Sequence, residues 1–313
     1  MPAAAQTTVF GLDVCADRAL PFLEGGSASA TGRRVELSAV SSPSELEWPS
    51  DAALISDERG PDGEVVFQIE RSAAGFRIAG PRYGTAIVSA DGSSVRGSPG
   101  AGGLGEWQRL LVAQVLPFAA VLRGLEVLHA SAVAFGNEAV AILGPSGAGK
   151  TSVAVALSRL GGGFLADDVL AVSYEDGLLL GHPGPAIAGV HKEEVARLRR
   201  GQGLDPGRLL SEGPREAMVR MNSWPSPAPL RTIFVLERRA TGPRQPRFEP
   251  IVSPTALLSA TFNLLLQEPE RLTTLLDVCA AALHGCVERV VIGPETDASA
   301  LAARLASRIG AES

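Results

Sequence analysis

The sequence predicts an α/β fold in which a layered domain with a mixed, partly parallel sheet follows a small β-rich N-terminal domain. Three observations carry this. Short strand-like runs separated by turn-rich pieces fill the first 95 residues; strands alternate with helical patterns after Trp107; and a glycine-rich turn joins one of those later strands to its following helix. The expected division is therefore 1–95 and 96–313. A chain of 313 residues can bury two cores of ordinary size, and 45% apolar with 20% charged residues excludes a largely disordered chain. Its 35 glycines and 22 prolines predict short elements and many turns.

Taken in order, TTVFGLDV, RRVELSAV, EVVFQIERS, GFRIAG and TAIVSA read as strands, with GGSASATG, DERGPDG and PRYG as the turns between them. Residues 90–105, ADGSSVRGSPGAGGLG, read as a linker or mobile loop and set the boundary. Leu110, Leu111, Val115 and Phe118 follow helical spacing that Pro117 interrupts, so a broken helix is expected there. VLHASAVAF and EAVAILG are then expected as strands, GKTSVAVALSRL as a helix, and FLADDVLAVSY, GLLLGH and TIFVLER (232–238) as strands. Two helices near 254–267 and 269–283, the strand CVERVVIG and a helix from Asp297 to Ile309 complete the pattern.

A net charge of −6 leaves no overall positive field, which argues against nucleic acid or an anionic membrane as partner. Cys15, Cys279 and Cys286 cannot pair completely and show no CxxC spacing, so a reducing compartment is expected. Cys279, His284 and Cys286 lie close in sequence but lack a fourth zinc ligand. The first residues carry no basic segment followed by an apolar run, and LLVAQVLPFAAVL is too short to span a bilayer. The expected location is cytoplasmic.

Within EAVAILGPSGAGKTSVAVAL, Gly144 is followed after four residues by Gly149, Lys150 and Thr151, the GxxxxGK[ST] pattern of a phosphate loop. With two lysines among 28 basic residues, chance places those four positions together about a few times in a thousand. A strand enters the loop and a helix leaves it, so backbone amides from Gly144, Pro145, Ser146, Gly147, Ala148, Gly149, Lys150, Thr151 and Ser152 can surround a polyphosphate, Pro145 contributing shape rather than an amide. Lys150 is expected to reach the β- and γ-phosphates of ATP, and the Thr151 hydroxyl to hold Mg²⁺.

Asp167 and Asp168 follow in the apolar stretch FLADDVLAV, where carboxylates are costly unless they meet a cation, a metal or a donor. Acids this soon after a phosphate loop are more typical of phosphotransferases than of motor NTPases. Neighbouring strand residues point to opposite faces, so one aspartate is expected toward the acceptor and the other toward Mg²⁺. His129, in LEVLHASAVAF, is read from its own surroundings as a packed histidine.

The order HA, GPSGAGKTS, FLADD over about residues 125–190 resembles the catalytic domain of the HPr kinase/phosphorylase-like P-loop kinases. The resemblance implies a P-loop kinase domain using ATP and Mg²⁺. It makes Asp167 the general base, pairs His129 with it, keeps Lys150 on the phosphates and places Asp168 with Thr151 near the metal; the sequence itself leaves the two aspartates exchangeable. The segment LEIRGLG of that family has no counterpart after GHPGPAIAGVHKEEVARL, which argues against phosphorolysis and against HPr as acceptor. The prolines of that turn and the β-rich N-terminus look more like the branch associated with lasso-peptide pathways. Glu193 and Glu194 read as a solvated helix face, and Arg197, Arg199 and Arg200 as an exposed basic helix end. The expectation is a kinase phosphorylating a serine of a peptide or small protein, with self-association implied by the resemblance. A small-metabolite kinase and a nucleotide-binding regulator without transfer are the alternatives.

Overall fold

A computed structural model describes residues 5–24, 30–192, 195–196, 208–213, 216–251, 253–262, 266, 268–284 and 287–310. Glu193, Glu194, the arginines at 197, 199 and 200, and Cys286 lie outside these residues.

The N-terminal sheet has eight strands: β1 (Ala5–Val9), β2 (Leu12–Ala16), β3 (Arg34–Ala39), β4 (Ala53–Arg59), β5 (Val65–Ser72), β6 (Gly75–Gly80), β7 (Gly84–Ser89) and β8 (Ser94–Pro99), in the order β1-β2-β3-β8-β7-β6-β5-β4. TTVFGLDV is a hairpin rather than one strand, because Phe10 and Gly11 both take positive φ and turn the chain. The segment expected as a linker holds β8, which pairs with β3 and β7. Its glycines and serines suit close packing instead: a Cβ on Gly97 would stand 2.8 Å from the Thr85 carbonyl and 2.9 Å from the Trp107 ring. The sheet thus runs past residue 95, and its core is continuous with later elements. Val35, Phe76 and Ile78 pack in one cluster with Trp107, Phe118, Val127 and Leu266.

The broken helix is α1 (Gly103–Leu110), one wide π-type turn (Leu111–Val115) and α2 (Leu116–Leu122). Pro117, which lacks an N–H, stands in the first turn of α2, immediately after the widened turn.

The second sheet is mixed and partly parallel. It contains β9 (Glu126–Leu128), β10 (Ala130–Phe135), β11 (Glu138–Leu143), β12 (Gly163–Ala166), β13 (Leu170–Glu175), β14 (Leu178–His182) and β18 (Ala228–Arg238), with β19 (Arg247–Pro250) and β20 (Val287–Ile292) beyond β18. β11 and β20 both run parallel to β18. Along β11, Val140 and Ile142 join the core beneath α3 (Lys150–Arg159) and α6 (Ala298–Ile309), while Ala139, Ala141 and Leu143 join the core beneath α5 (Pro269–Leu283). Burial on both faces explains the unbroken apolar run AVAIL after Glu138. A short helix, α4 (Thr255–Ser259), precedes α5. A small sheet of β15 (Ile187–His191), β17 (Glu216–Arg220) and β16 (Leu209–Glu212) adjoins the phosphate-loop end of the molecule.

Two expected strands are interrupted at polar residues. VLHASAVAF divides at His129 into β9, which pairs with β13, and β10, which pairs with β11 and β12. FLADDVLAVSY divides at Asp167 and Asp168 into β12 and β13. The two aspartates therefore occupy a kink, with Asp168 in the left-handed region at φ 64°, and do not alternate across a strand.

Candidate functional site

The residues from Gly144 to Gly149 link the end of β11 to α3. Gly144 takes φ 150°, and a Cβ there would approach the Leu236 carbonyl of β18 to 2.9 Å; Gly149, immediately before α3, takes φ 99°. Both positions call for glycine. Among the described residues, the amides of Ser146, Gly147 and Gly149 have no backbone acceptor, whereas Ala148 donates to the Pro145 carbonyl. Free amides at a helix N-terminus that carries no side-chain cap fit an anion.

Lys150 folds over this loop and is 7% exposed; its Nζ donates to the carbonyl of Gly144 at 3.1 Å and of Pro145 at 3.4 Å. Burial lowers its pKa, and the charges of Asp168 and Asp167 oppose that shift.

Asp167 is the most connected group of the site. Its Oδ1 accepts from Ser131 Oγ at 2.7 Å and Thr151 Oγ1 at 2.8 Å, and its Oδ2 from the Gly189 amide at 3.0 Å. Burial raises the carboxyl to about 6; the three hydrogen bonds pull it down, and the charge of Asp168 adds to the rise. Asp168 is different: its side chain is 62% exposed, and its Oδ1 lies 3.4 Å from Nε2 of His129. The resemblance pairs His129 with Asp167; the structure pairs it with Asp168. The bend between β9 and β10 produces this arrangement, held by the His129 amide donating to the Ala260 carbonyl at 2.6 Å.

One cavity of about 440 Å³ gathers these groups: Ser146, Gly147, Lys150, Asp167, Asp168 and His129 all line it. Thr151 reaches it through its bond to Asp167. A site for Mg²⁺ needs one or two carboxylates and phosphate oxygens more than a full protein cage, and Thr151 with the two aspartates fits that donor set. Among the described residues no group of three or more His, Cys, Asp or Glu could hold a metal ion.

Several lining residues escaped the sequence reading. Ser131 is fully buried in β10, and a polar residue inside ASAVAF is a readable signal for a buried partner. Gly189 acts through its backbone, which leaves no trace in residue type. Arg109 of α1 and Glu216 of β17 form an ion pair at the cavity, joining chain positions too distant for spacing to connect. Phe10 arrives from the N-terminal sheet: its amide donates to the Pro183 carbonyl at 2.6 Å, which puts its ring in the cavity wall.

No family model and no curated protein matches the chain. Among solved structures it is similar to the HPr(Ser) kinase/phosphatase from Coxiella burnetii, at 14% identity and a TM-score of 0.31, over 59% of this chain and 95% of that one. A likeness of that size leaves the chemistry to be read from the site itself.

Proposed function

We propose that the protein is an ATP- and Mg²⁺-dependent phosphotransferase acting on a hydroxyl, with a serine of a peptide or small protein as acceptor. One observation carries this reading. The phosphate loop and the Asp167–Asp168 kink meet in one cavity, where the first carboxylate is tied to Thr151 and the second is exposed beside an imidazole.

Bound Mg·ATP supplies the phosphoryl group and the metal charge that balances it. The amides of Ser146, Gly147 and Gly149 and the start of α3 would hold the phosphates. Lys150 would exchange two loop carbonyls for phosphate oxygens. Thr151 and Asp167, already bonded to each other, would form the metal side. Asp168 is then the carboxylate open to an acceptor, positioned to take the hydroxyl proton while His129 orients it. The geometry supports this exchange of the two aspartates' roles relative to the resemblance.

The test separates the two carboxylates. Asp168→Asn is expected to keep Mg·ATP affinity within about two-fold and to lose about 10²- to 10⁴-fold in transfer. Asp167→Asn is expected to weaken Mg²⁺-dependent nucleotide binding. Loss of transfer in Asp167→Asn alone, with metal-dependent binding intact, would restore Asp167 as base. Mg·ATP binding without transfer in the wild type, unchanged when both aspartates are neutralised, would favour the nucleotide-binding regulator. A small-metabolite acceptor is the second reading, favoured by a cavity of about 440 Å³, which lies in the range of small-molecule sites.

A further inference from the structure

We infer that Arg109 is a second phosphoryl-binding cation of this site, an inference that rests on the phosphotransferase reading above. Phosphoryl transfer spreads negative charge over three oxygens, and the protein's contribution is largely to place cations around them. Among the described residues lining the cavity, Lys150 and Arg109 are the lysine and arginine available for that task. They come from different elements: Lys150 opens the helix after the phosphate loop, whereas Arg109 stands near the end of α1.

Arg109 is aimed rather than adventitious. Val112 and Ala113 line the same cavity, and positions 109, 112 and 113 share one helix face, so that face forms a wall of the site. The side chain is 19% exposed, enough to meet a ligand while its stem stays packed. A guanidinium presents five donors in a flat fork suited to carboxylate or phosphate. Here one terminal nitrogen bonds the Glu216 carboxylate, and the other is 4.0 Å from Glu106, beyond hydrogen-bond reach. Glu216 takes up one of the fork's donors, and its own side chain is 45% exposed, free to exchange the guanidinium for water.

A purely structural ion pair, tying α1 to the small sheet, makes a different prediction. Breaking such a pair from either side has the same consequence, whereas a phosphoryl-binding role is lost only with the arginine. The experiment compares binding of Mg·ADP alone with Mg·ADP plus aluminium fluoride, which imitates the transferring phosphoryl, by calorimetric titration of the wild type, Arg109→Ala, Arg109→Lys and Glu216→Gln. The fluoride is expected to tighten wild-type binding at least ten-fold, and Arg109→Ala to lose that gain while its affinity for Mg·ADP alone stays within two-fold. Glu216→Gln should retain the gain, and Arg109→Lys, which keeps charge and most of the stem, should retain part of it. A gain preserved in Arg109→Ala, a gain lost equally in Glu216→Gln, or no gain in a wild type that binds Mg·ADP would overturn the role of Arg109 and leave nucleotide binding standing. A wild type that binds neither Mg·ATP nor Mg·ADP would remove the phosphotransferase reading itself, and this inference with it. Melting temperatures guard against misfolding; if Arg109→Ala is unfolded, the lysine variant decides, a full gain in it counting against the fork.

Discussion

The hydroxyl of Thr151 donates to the Asp167 carboxylate at 2.8 Å, so the first turn of α3 and the kink between β12 and β13 are joined before any nucleotide arrives. Thr151→Ala removes that link and the hydroxyl available to a metal. The enhancement of ATP binding by Mg²⁺ should fall about ten-fold, with little change in binding without the metal, and Thr151→Ser should restore it. Titrations with and without Mg²⁺ check this.

The raised Asp167 carboxyl sets the sign of a pH dependence in stability. Its folded pKa of about 6 lies above the unfolded value of 3.8, so the folded state binds the extra proton between those limits and stability falls as pH rises from about 4 to 6. Asp167→Asn keeps the shape and removes the buried charge. Its melting temperature relative to the wild type should be higher at pH 7.5 than at pH 4.

His182 acts in the opposite direction. Burial, with the charge of Arg33 second, lowers it from 6.5 to about 4 against the opposing pull of Glu175. Its Nε2 meets Ser173 Oγ at 2.8 Å, while its buried Nδ1 has no hydrogen-bond partner among the described residues. The unfolded state therefore binds the proton first as pH falls, and this contribution to stability is lost from about 6.5 down to 4. His182→Leu should flatten the decline in melting temperature over that interval.

Gly144 and Gly136 offer a matched pair. Both take positive φ, but a Cβ at Gly144 would stand 2.9 Å from the Leu236 carbonyl, whereas one at Gly136 meets nothing within 4 Å. Gly144→Ala should cost about 1–3 kcal/mol more than Gly136→Ala, read as a difference in denaturation midpoint at constant slope.

Inside the molecule, Arg271 and Glu126 form an ion pair at 3.0 Å with side chains 6% and 0% exposed. Arg271→Met leaves the carboxylate buried without that partner and should cost about 3–5 kcal/mol, while the double change with Glu126→Gln should recover part of it. A denaturation cycle on the three variants measures the coupling.

What could be read from the sequence follows from how locally each feature is encoded. The loop from Gly144 to Thr151 is contiguous, and its entering strand and leaving helix show as an apolar run and a helical period; the structure has both there. Most N-terminal strands announced themselves through turn residues; β4, an edge strand whose charged SDER half hides the pattern, did not. β8 was hidden because its glycines serve close packing against Trp107, and composition alone reads them as a linker. The kinks at His129 and at Asp167–Asp168 were invisible for another reason: the flanking residues are as apolar as a continuous strand, and the break is set by pairing with different neighbours. At that kink His129 lies beside Asp168 and Thr151 bonds Asp167, an order of the two aspartates that the sequence left open. Arg109 and Glu216 had no local signal, since only the assembled fold brings them together.

The central claim is that the protein moves a phosphoryl group. Its most direct test is incubation of the wild type and Lys150→Ala with γ-labelled ATP and a size-fractionated extract of the native host. Label in a discrete peptide or small protein with the wild type alone is the predicted result; measurable Mg·ATP binding with no label in any fraction would contradict it.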